Sequence, residues 1–193
     1  MMKNNYNYLN IIDEFRNKYN NQDIKAILNI DSINLSSLVV QGDDNEYYLS
    51  HLENKDDSIY GSLMLDYRTN LDNSKINLIY GHMSYSDYTP FKRLESYLDY
   101  NFYMSNPYFT ITTDKDTYKY EIFSIAKVNK NETKYLEVNF NEQELLKQYN
   151  YFKDISIYQK DILLTSEDNI LIMQTCSSNS NEFLLIIARK VIK

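Results

Sequence analysis

Two residues of the sequence carry the side chains that nucleophilic catalysis requires, a thiol and an imidazole. Cys176, the single cysteine, ends the stretch "NILIMQTC", and His82 ends the stretch "NLIYGH". A thiol attacks a carbonyl group as the thiolate, so it needs a base or a positive neighbour, and histidine is the usual partner. The only other histidine, His51, lies in a polar segment that predicts a surface or loop-ordering role. The candidate pair is therefore Cys176 and His82.

A second interpretation of this pair stays open at the level of the residues. A lone cysteine is more often a small buried hydrophobic residue than a catalyst. The separation of His82 and Cys176 along the chain does not show that they meet in space. Both residues do stand where an apolar strand runs into a polar loop, which is where rigid scaffolds present functional side chains.

The composition excludes several classes of partner and site. The net charge is −7 and the basic residues are scattered, so we predict no nucleic-acid partner. A single cysteine excludes an internal disulfide and a cysteine-based zinc site, and we expect no metal and no cofactor. The acidic residues Asp43, Asp44, Asp114 and Asp116 are interpreted as turn and cap residues. No signal peptide and no apolar run of membrane-spanning length is present.

The elements that must position the candidate pair are mostly short strands. Helices are predicted over residues 5–20, 88–103 and 141–154 from apolar residues at helical spacing, with a shorter helix over 43–51. Thr89 and Asn141 are the predicted N-caps, the latter with Glu144 at the capping-box position. This pattern predicts one domain built as a small closed barrel with helices on its rim. Strands are predicted at residues 24–30, 33–41, 61–68, 76–83, 108–113, 118–128, 134–140, 162–176 and 182–192.

The order of these segments resembles that of class B sortases, cysteine transpeptidases that anchor proteins to the Gram-positive cell wall. "VVQGDDNEYYLSH" resembles the family's opening strand and short helix, and "GSLMLDYRTN" resembles its next strand. "NLIYGHMSYSDYTPFKRLESYLD" is similar to the histidine-bearing strand and the helix after it. "YEIFSIAKV" and "KYLEVNF" resemble the paired strands that follow, and "DNILIMQTC" resembles the strand that ends in the Thr-Cys signature. Six segments in the same order, from about residue 22 to the C-terminus, make the resemblance specific.

The resemblance implies a fold and a location. The fold is mainly β, a closed eight-stranded sortase-type barrel over residues 22–193, preceded by a helix over residues 1–21 and carrying two or three rim helices. One of these helices is expected between strands six and seven. The implied location is the outer face of the cell membrane, with an anchor that this sequence lacks. The doubled Met at its start indicates an added start codon; a complete sequence would instead predict a cytoplasmic protein.

The resemblance also implies a mechanism and partners. Cys176 would cleave a sorting motif of the LPxTG or NPxTN type and hold the product as a thioester. His82 would protonate the leaving amine and later deprotonate the incoming one. The implied partners are the sorting-motif peptide of a secreted protein and an amine of a peptidoglycan precursor. The family's substrate-groove positions carry over to Asn45, Leu49, Tyr135, Leu136, Gln174 and Thr175, with plain barrel packing as an equal interpretation for the two leucines.

The sequence departs from the family at one position of the last strand. Class B sortases carry an arginine there that stabilises the oxyanion, and alignment of the strand places Phe183 at that position. The nearest arginine, Arg189, lies six residues on, which is about 20 Å of strand, so we interpret it as a surface charge. Loss of one oxyanion donor typically costs about 10²–10³ in rate.

This departure predicts low activity and keeps two further hypotheses open. One is a sortase-fold protein that has lost efficient catalysis and binds sorting peptides. The other is a small barrel used only as an interaction module, with Cys176 buried. Backbone N–H groups, Asn181 or a residue of another loop are the candidates for replacing the arginine.

Overall fold

Eight strands close into a β-barrel in the computed structural model, which describes residues 5–82, 89–176 and 181–191. The strands are β1 (Ile24–Ile30), β2 (Leu35–Val40), β3 (Leu63–Leu65), β4 (Ile76–Tyr80), β5 (Tyr108–Thr113), β6 (Thr117–Asn129), β7 (Ile170–Cys176) and β8 (Glu182–Lys190). Their order around the barrel is β1-β2-β3-β4-β7-β8-β6-β5. The pairs β2–β3 and β4–β7 are parallel, and the other neighbours are antiparallel.

The helices lie outside the barrel. They are α1 (Asn5–Tyr19), α2 (Tyr100–Ser105) and α3 (Glu142–Asp154), with 3₁₀ helices at Asp31–Ile33, Tyr47–Leu49, Pro90–Leu98 and Lys134–Leu136. The capping box predicted for α3 is present, since the Asn141 side chain accepts from the Glu144 N–H at 3.0 Å and the Glu144 carboxylate accepts from the Asn141 N–H at 3.1 Å. None of the helices in the described residues is long and apolar enough to cross a membrane. The predicted fold class, a mainly β closed barrel with an N-terminal helix and rim helices, is confirmed.

The strands that lead to the candidate pair are buried on both faces. Ile79 of β4 and Met173 of β7 point into the barrel interior, whereas Leu78 and Ile172 belong to a second apolar cluster beneath α3. A strand covered on both sides has a continuous apolar sequence rather than an alternating one. This explains the run "ILIM" of β7 and the apolar residues Ile76, Leu78 and Ile79 of β4, and it gives the two residues at the strand ends a firmly packed support.

Two predicted elements differ in the structure. The helix predicted over residues 88–103 is divided into the 3₁₀ helix Pro90–Leu98 and α2, because Asp99 accepts a hydrogen bond from the Phe102 N–H at 2.7 Å and starts a new helix. Thr89 is the N-cap residue of this 3₁₀ helix, as predicted, but its side chain makes no capping hydrogen bond. Residues 83–88, which end the predicted strand 76–83 and begin that helix, lie outside the described residues.

Two predicted strands are also corrected. Residues 134–140 form a 3₁₀ turn and an irregular segment, not a strand, because tertiary contacts hold the turn. The Gln148 side-chain amide donates to the Lys134 carbonyl at 2.8 Å, and Tyr135 is buried beneath α3. The strand predicted from residue 162 begins only at Ile170, since the Asp168 carboxylate accepts from the Thr165 N–H and folds the preceding residues into a turn.

Candidate active site

The parallel pairing of β4 and β7 brings His82 and Cys176 to the same end of the barrel. Tyr80 is paired with Gln174 at the end of the ladder, and the Gly81 N–H donates to the Gln174 carbonyl at 3.0 Å. His82 and Cys176 each follow this pair by two residues. Both line one cavity of about 370 Å³, and both are half-buried. The hypothesis of a buried core cysteine is therefore wrong.

The same cavity contains every groove position that the sequence analysis carried over from the family. The walls also include residues that the sequence analysis did not select, and these lie on β3, β4, β8 and the end of β6. The predicted lining residues are Asn45, Leu49, Tyr135, Leu136, Gln174 and Thr175, and the additional ones are Met64, Tyr80, Gly81, Lys130 and Phe183.

The imidazole of His82 is tied to the opening loop of the cavity. Its Nε2 atom lies 2.8 Å from the main-chain carbonyl oxygen of Leu49. A carbonyl group only accepts hydrogen bonds, so Nε2 carries a proton. The atom that can exchange a proton with a bound ligand is then Nδ1.

Close backbone packing fixes both ends of this contact. A Cβ atom at Gly61 would lie 2.6 Å from the Tyr48 carbonyl oxygen and 2.7 Å from that of Leu49, and the φ of Gly61 is +57°. A Cβ atom at Gly81 would lie 2.5 Å from the Phe91 ring. These two glycines allow the loop carrying Leu49 and the strand end carrying His82 to approach their neighbours.

His51 has a different role. Its Nδ1 atom lies 2.7 Å from the Tyr47 carbonyl oxygen, its Nε2 atom lies 3.2 Å from Asp57, and its ring stacks on that of Tyr47 with centroids 3.9 Å apart. It does not line the cavity. These contacts order its own loop, as its polar surroundings indicated.

Tyr135 and Gln174 form one wall beside the thiol. The Tyr135 hydroxyl donates to Gln174 Oε1 at 2.8 Å. Burial raises the pKa of Tyr135, so its hydroxyl stays protonated and remains a donor. Gln174 lies two residues before Cys176 in β7, and the hydrogen bond therefore fixes a side chain on the same face of the strand as the thiol.

A buried carboxylate connects the opposite wall. Asp66 is fully buried and accepts from Asn45 Nδ2 at 3.0 Å, from the Tyr80 hydroxyl at 2.6 Å and from Arg68 Nη2 at 2.7 Å. Burial opposes ionisation, but the hydrogen bonds from Arg68 and Tyr80 outweigh it and hold the pKa of Asp66 below its usual value. Arg68 also donates to the Leu136 carbonyl at 3.0 Å. The Asp66–Arg68 ion pair thus positions three residues that line the cavity, which are Asn45, Tyr80 and Leu136.

The position expected for an arginine is occupied by a phenylalanine. Cys176 is paired with Phe183 across β7 and β8. Arg189 is paired with Ile170 at the opposite end of β7, and its guanidinium forms an ion pair with Glu121 at 3.0 Å. Arg189 is therefore held in a half-buried ion pair far from the cavity, rather than being a free surface charge.

Comparison with known proteins identifies relatives over most of the chain. The family model described as the sortase domain matches residues 28–191. Sortase B of Listeria monocytogenes is 30% identical over 163 residues, and this match covers 83% of the chain but 65% of that protein. The chain thus spans less than two thirds of this curated relative.

Two solved structures extend the comparison to the fold. The X-ray structure of Clostridium perfringens sortase B superposes with a TM-score of 0.87 at 28% identity, covering 93% of this chain and 99% of that one. The Staphylococcus aureus sortase B–substrate complex superposes with a TM-score of 0.84 at 25% identity, covering 93% of this chain and 84% of that one. The barrel fold is therefore similar to that of class B sortases.

Proposed function

Because this chain belongs to the sortase family as a class B member, we propose that it is a cysteine transpeptidase with Cys176 as its nucleophile. The observation that carries the proposal is that Cys176 and His82 follow the last paired residues of two parallel strands and line one cavity. A half-buried thiol and an imidazole that line the same cavity are the groups that thiolate chemistry needs.

The reaction proceeds in two halves. The Cys176 thiolate attacks the carbonyl carbon of the scissile peptide bond, and the carbonyl oxygen takes up the negative charge. The C–N bond breaks, His82 gives a proton to the leaving amine, and the acyl group stays on sulfur as a thioester. An incoming amine then attacks the thioester and gives a proton to His82, a new amide bond forms, and the Cys176 thiolate leaves. Since Nε2 of His82 is held by Leu49, Nδ1 exchanges the proton.

The substrate we propose is the sorting-motif peptide of a secreted protein, bound along the cavity. Leu49, Met64 and Leu136 offer apolar contacts, whereas Asn45 and Gln174 offer amide hydrogen bonds. The Staphylococcus aureus sortase B–substrate complex, whose barrel superposes on this one, supports substrate binding by this fold. The family resemblance supports an amine of a peptidoglycan precursor as the acceptor, and the outer face of the cell membrane, through an anchor, as the location.

A second candidate function is a sortase-fold protein of weak activity that binds sorting peptides. The pairing of Phe183 with Cys176 favours it, because no guanidinium stands where the family's oxyanion donor is expected. Retention of both Cys176 and His82 in the cavity favours catalysis instead.

Incubation with a panel of fluorogenic sorting peptides of the LPxTG, NPxTN and SPxTG types tests the proposal. Intact mass is measured for the unmodified chain and for Cys176→Ala and His82→Ala. We expect an acyl adduct on the unmodified chain, none on Cys176→Ala and a strongly slowed one on His82→Ala. Absence of an adduct with every peptide, from a protein whose thiol still alkylates, would contradict the transpeptidase and favour the binding function.

A further inference from the structure

Lys130 carries the one ammonium group among the described residues that line the cavity. It directly follows β6, and its backbone N–H donates to the Asn181 carbonyl at 3.0 Å. Its side chain is exposed and extends over the Phe183 ring, with Nζ 5.5 Å from the ring centroid. The lysine is thus attached at its backbone to the start of β8 and at its side chain to the residue opposite the thiol.

The Phe183 ring connects Lys130 to Cys176. Directly paired residues of an antiparallel ladder have their Cβ atoms about 5 Å apart on the same face of the sheet, and Phe183 is the partner of Cys176. A cation within about 6 Å of a ring centroid is attracted to the ring face. Lys130, Phe183 and Cys176 are therefore successive neighbours among the residues that line the cavity.

The Lys130 ammonium is not neutralised by a carboxylate among the described residues of the cavity lining. The lining residues in the described part of the chain include no carboxylate. Asp66 lies behind the opposite wall, where Arg68 neutralises it. Lys130 is then the permanently charged cation among the described residues that line the cavity with the thiol. A thiolate, and the oxyanion it produces at a carbonyl carbon, are both stabilised by a nearby positive charge in a partly buried site.

We propose that the Lys130 ammonium, held over Phe183, stabilises the Cys176 thiolate and the substrate oxyanion. This inference rests on the proposed function. It assigns to Lys130, directly after β6, the oxyanion stabilisation that the family's arginine provides at the position of Phe183. Lys130 keeps its proton throughout, and no bond to it forms or breaks. The negative charge on sulfur and on the carbonyl oxygen develops only as the thiolate forms and attacks. Loss of the Lys130 ammonium therefore lowers kcat and leaves KM largely unchanged.

The test compares Lys130→Met with Lys130→Arg, and with Lys127→Met as the matched control. Lys127 is exposed on β6, three residues before Lys130, carries the same charge and does not line the cavity. The first measurement is the rate of Cys176 alkylation by the uncharged reagent iodoacetamide across a pH series, which reports the pKa of the thiol without any substrate. The second is kcat and KM for peptide cleavage.

We expect Lys130→Met to raise the pKa of the Cys176 thiol and to lower kcat by about 10- to 100-fold, with KM nearly unchanged. Lys130→Arg should keep the thiol pKa and kcat close to those of the unmodified chain, and Lys127→Met should behave like the unmodified chain. The melting temperature of every variant is measured to exclude a folding defect.

The outcomes separate this inference from the proposed function. Normal alkylation and normal kcat in Lys130→Met, with an acyl adduct on the unmodified chain, would overturn the assignment of Lys130 and leave the transpeptidase intact. A missing adduct on the unmodified chain, with a thiol pKa that still depends on Lys130, would overturn the transpeptidase and support the role of Lys130 toward the thiolate.

Discussion

The imidazole of His82 donates a hydrogen bond through Nε2 to the main-chain carbonyl of Leu49, 2.8 Å away. This contact joins the end of β4 to the 3₁₀ helix Tyr47–Leu49, two elements that are far apart in the chain. It fixes the tautomer of the proposed acid–base residue and the direction of its ring. The position of the Leu49 carbonyl therefore controls the proton exchange in which His82 takes part.

Gly61→Ala tests this control. The new Cβ would lie 2.7 Å from the Leu49 carbonyl oxygen, and the φ of +57° costs a residue other than glycine about 1–3 kcal/mol. We expect a lower melting temperature and a kcat reduced by about tenfold, because the displaced carbonyl releases Nε2 and changes the ring orientation.

Gly42→Ala is the control for this substitution. Its Cβ would make only ordinary contact with the Tyr48 ring at 3.5 Å. A Gly61→Ala protein with the unmodified kcat and pH–rate profile would contradict a positioning role for the Leu49 carbonyl.

Asp66→Asn tests the buried ion pair behind the cavity. The substitution keeps the shape but removes the charge that three side chains share, and it leaves Arg68 without its anionic partner. A hydrogen bond to a charged group contributes about 1.5–3 kcal/mol, and Arg68 is partly exposed and regains some hydration. We expect a loss of about 2 kcal/mol in the free energy of unfolding from denaturant titration, and a higher KM for peptide as Asn45 and Tyr80 lose their common anchor. An unchanged KM would show that the ion pair does not organise the groove.

Much of the barrel could be predicted from local sequence signals. The apolar runs ending in His82 and Cys176 identify strands that are buried on both faces, and the capping box of Asn141 and Glu144 identifies the start of α3. Phe183, which the alignment places at the position of the family's arginine, is paired with Cys176 in the structure. The roles of His82 and Cys176 in catalysis stay predictions.

Other features depend on contacts that local sequence does not contain. The segment "KYLEVNF" has strand-like alternation, but burial of Tyr135 and the hydrogen bond from Gln148 hold its start as a turn. Asp66 resembles a turn carboxylate in "LDYR", and only the fold places Tyr80 and Arg68 around it. Lys130 is one of many scattered lysines, and its place on the cavity wall appears once β6 and β8 are paired.

The stability of the protein should decrease in acid. The folded-state pKa values of Asp66 and Glu121 are lowered. Burial opposes the ionisation of each carboxyl group. The ion pair of Asp66 with Arg68, and those of Glu121 with Lys160 and Arg189, outweigh the effect of burial. A carboxyl group with a lowered folded-state pKa contributes its full stabilisation at pH values above its unfolded-state pKa, which is about 3.9 for Asp and about 4.3 for Glu. This stabilisation is lost as the pH falls through the folded-state pKa. Denaturant midpoints should therefore be constant from neutral pH to about pH 5 and fall below about pH 4.

Asp66→Asn is the reference for this pH dependence. It lacks one of the two carboxylates, so its denaturant midpoint should fall less steeply below about pH 4 than that of the unmodified chain. Equal slopes for the two proteins would contradict a lowered pKa at Asp66.

Phe183→Arg places a guanidinium directly opposite Cys176, where the ladder pairs the two residues. Because an arginine there donates to the developing oxyanion, we expect it to compensate for loss of the Lys130 charge. In the Lys130→Met background it should therefore recover about tenfold in kcat, whereas beside the native Lys130 the gain should be smaller, since the two cations repel each other. The measurement is a double-mutant cycle of kcat for peptide cleavage, with Phe183→Leu as the control for loss of the ring. A Phe183→Arg, Lys130→Met protein as slow as Lys130→Met alone, and equally stable, would mean that charge beside Cys176 does not limit the reaction.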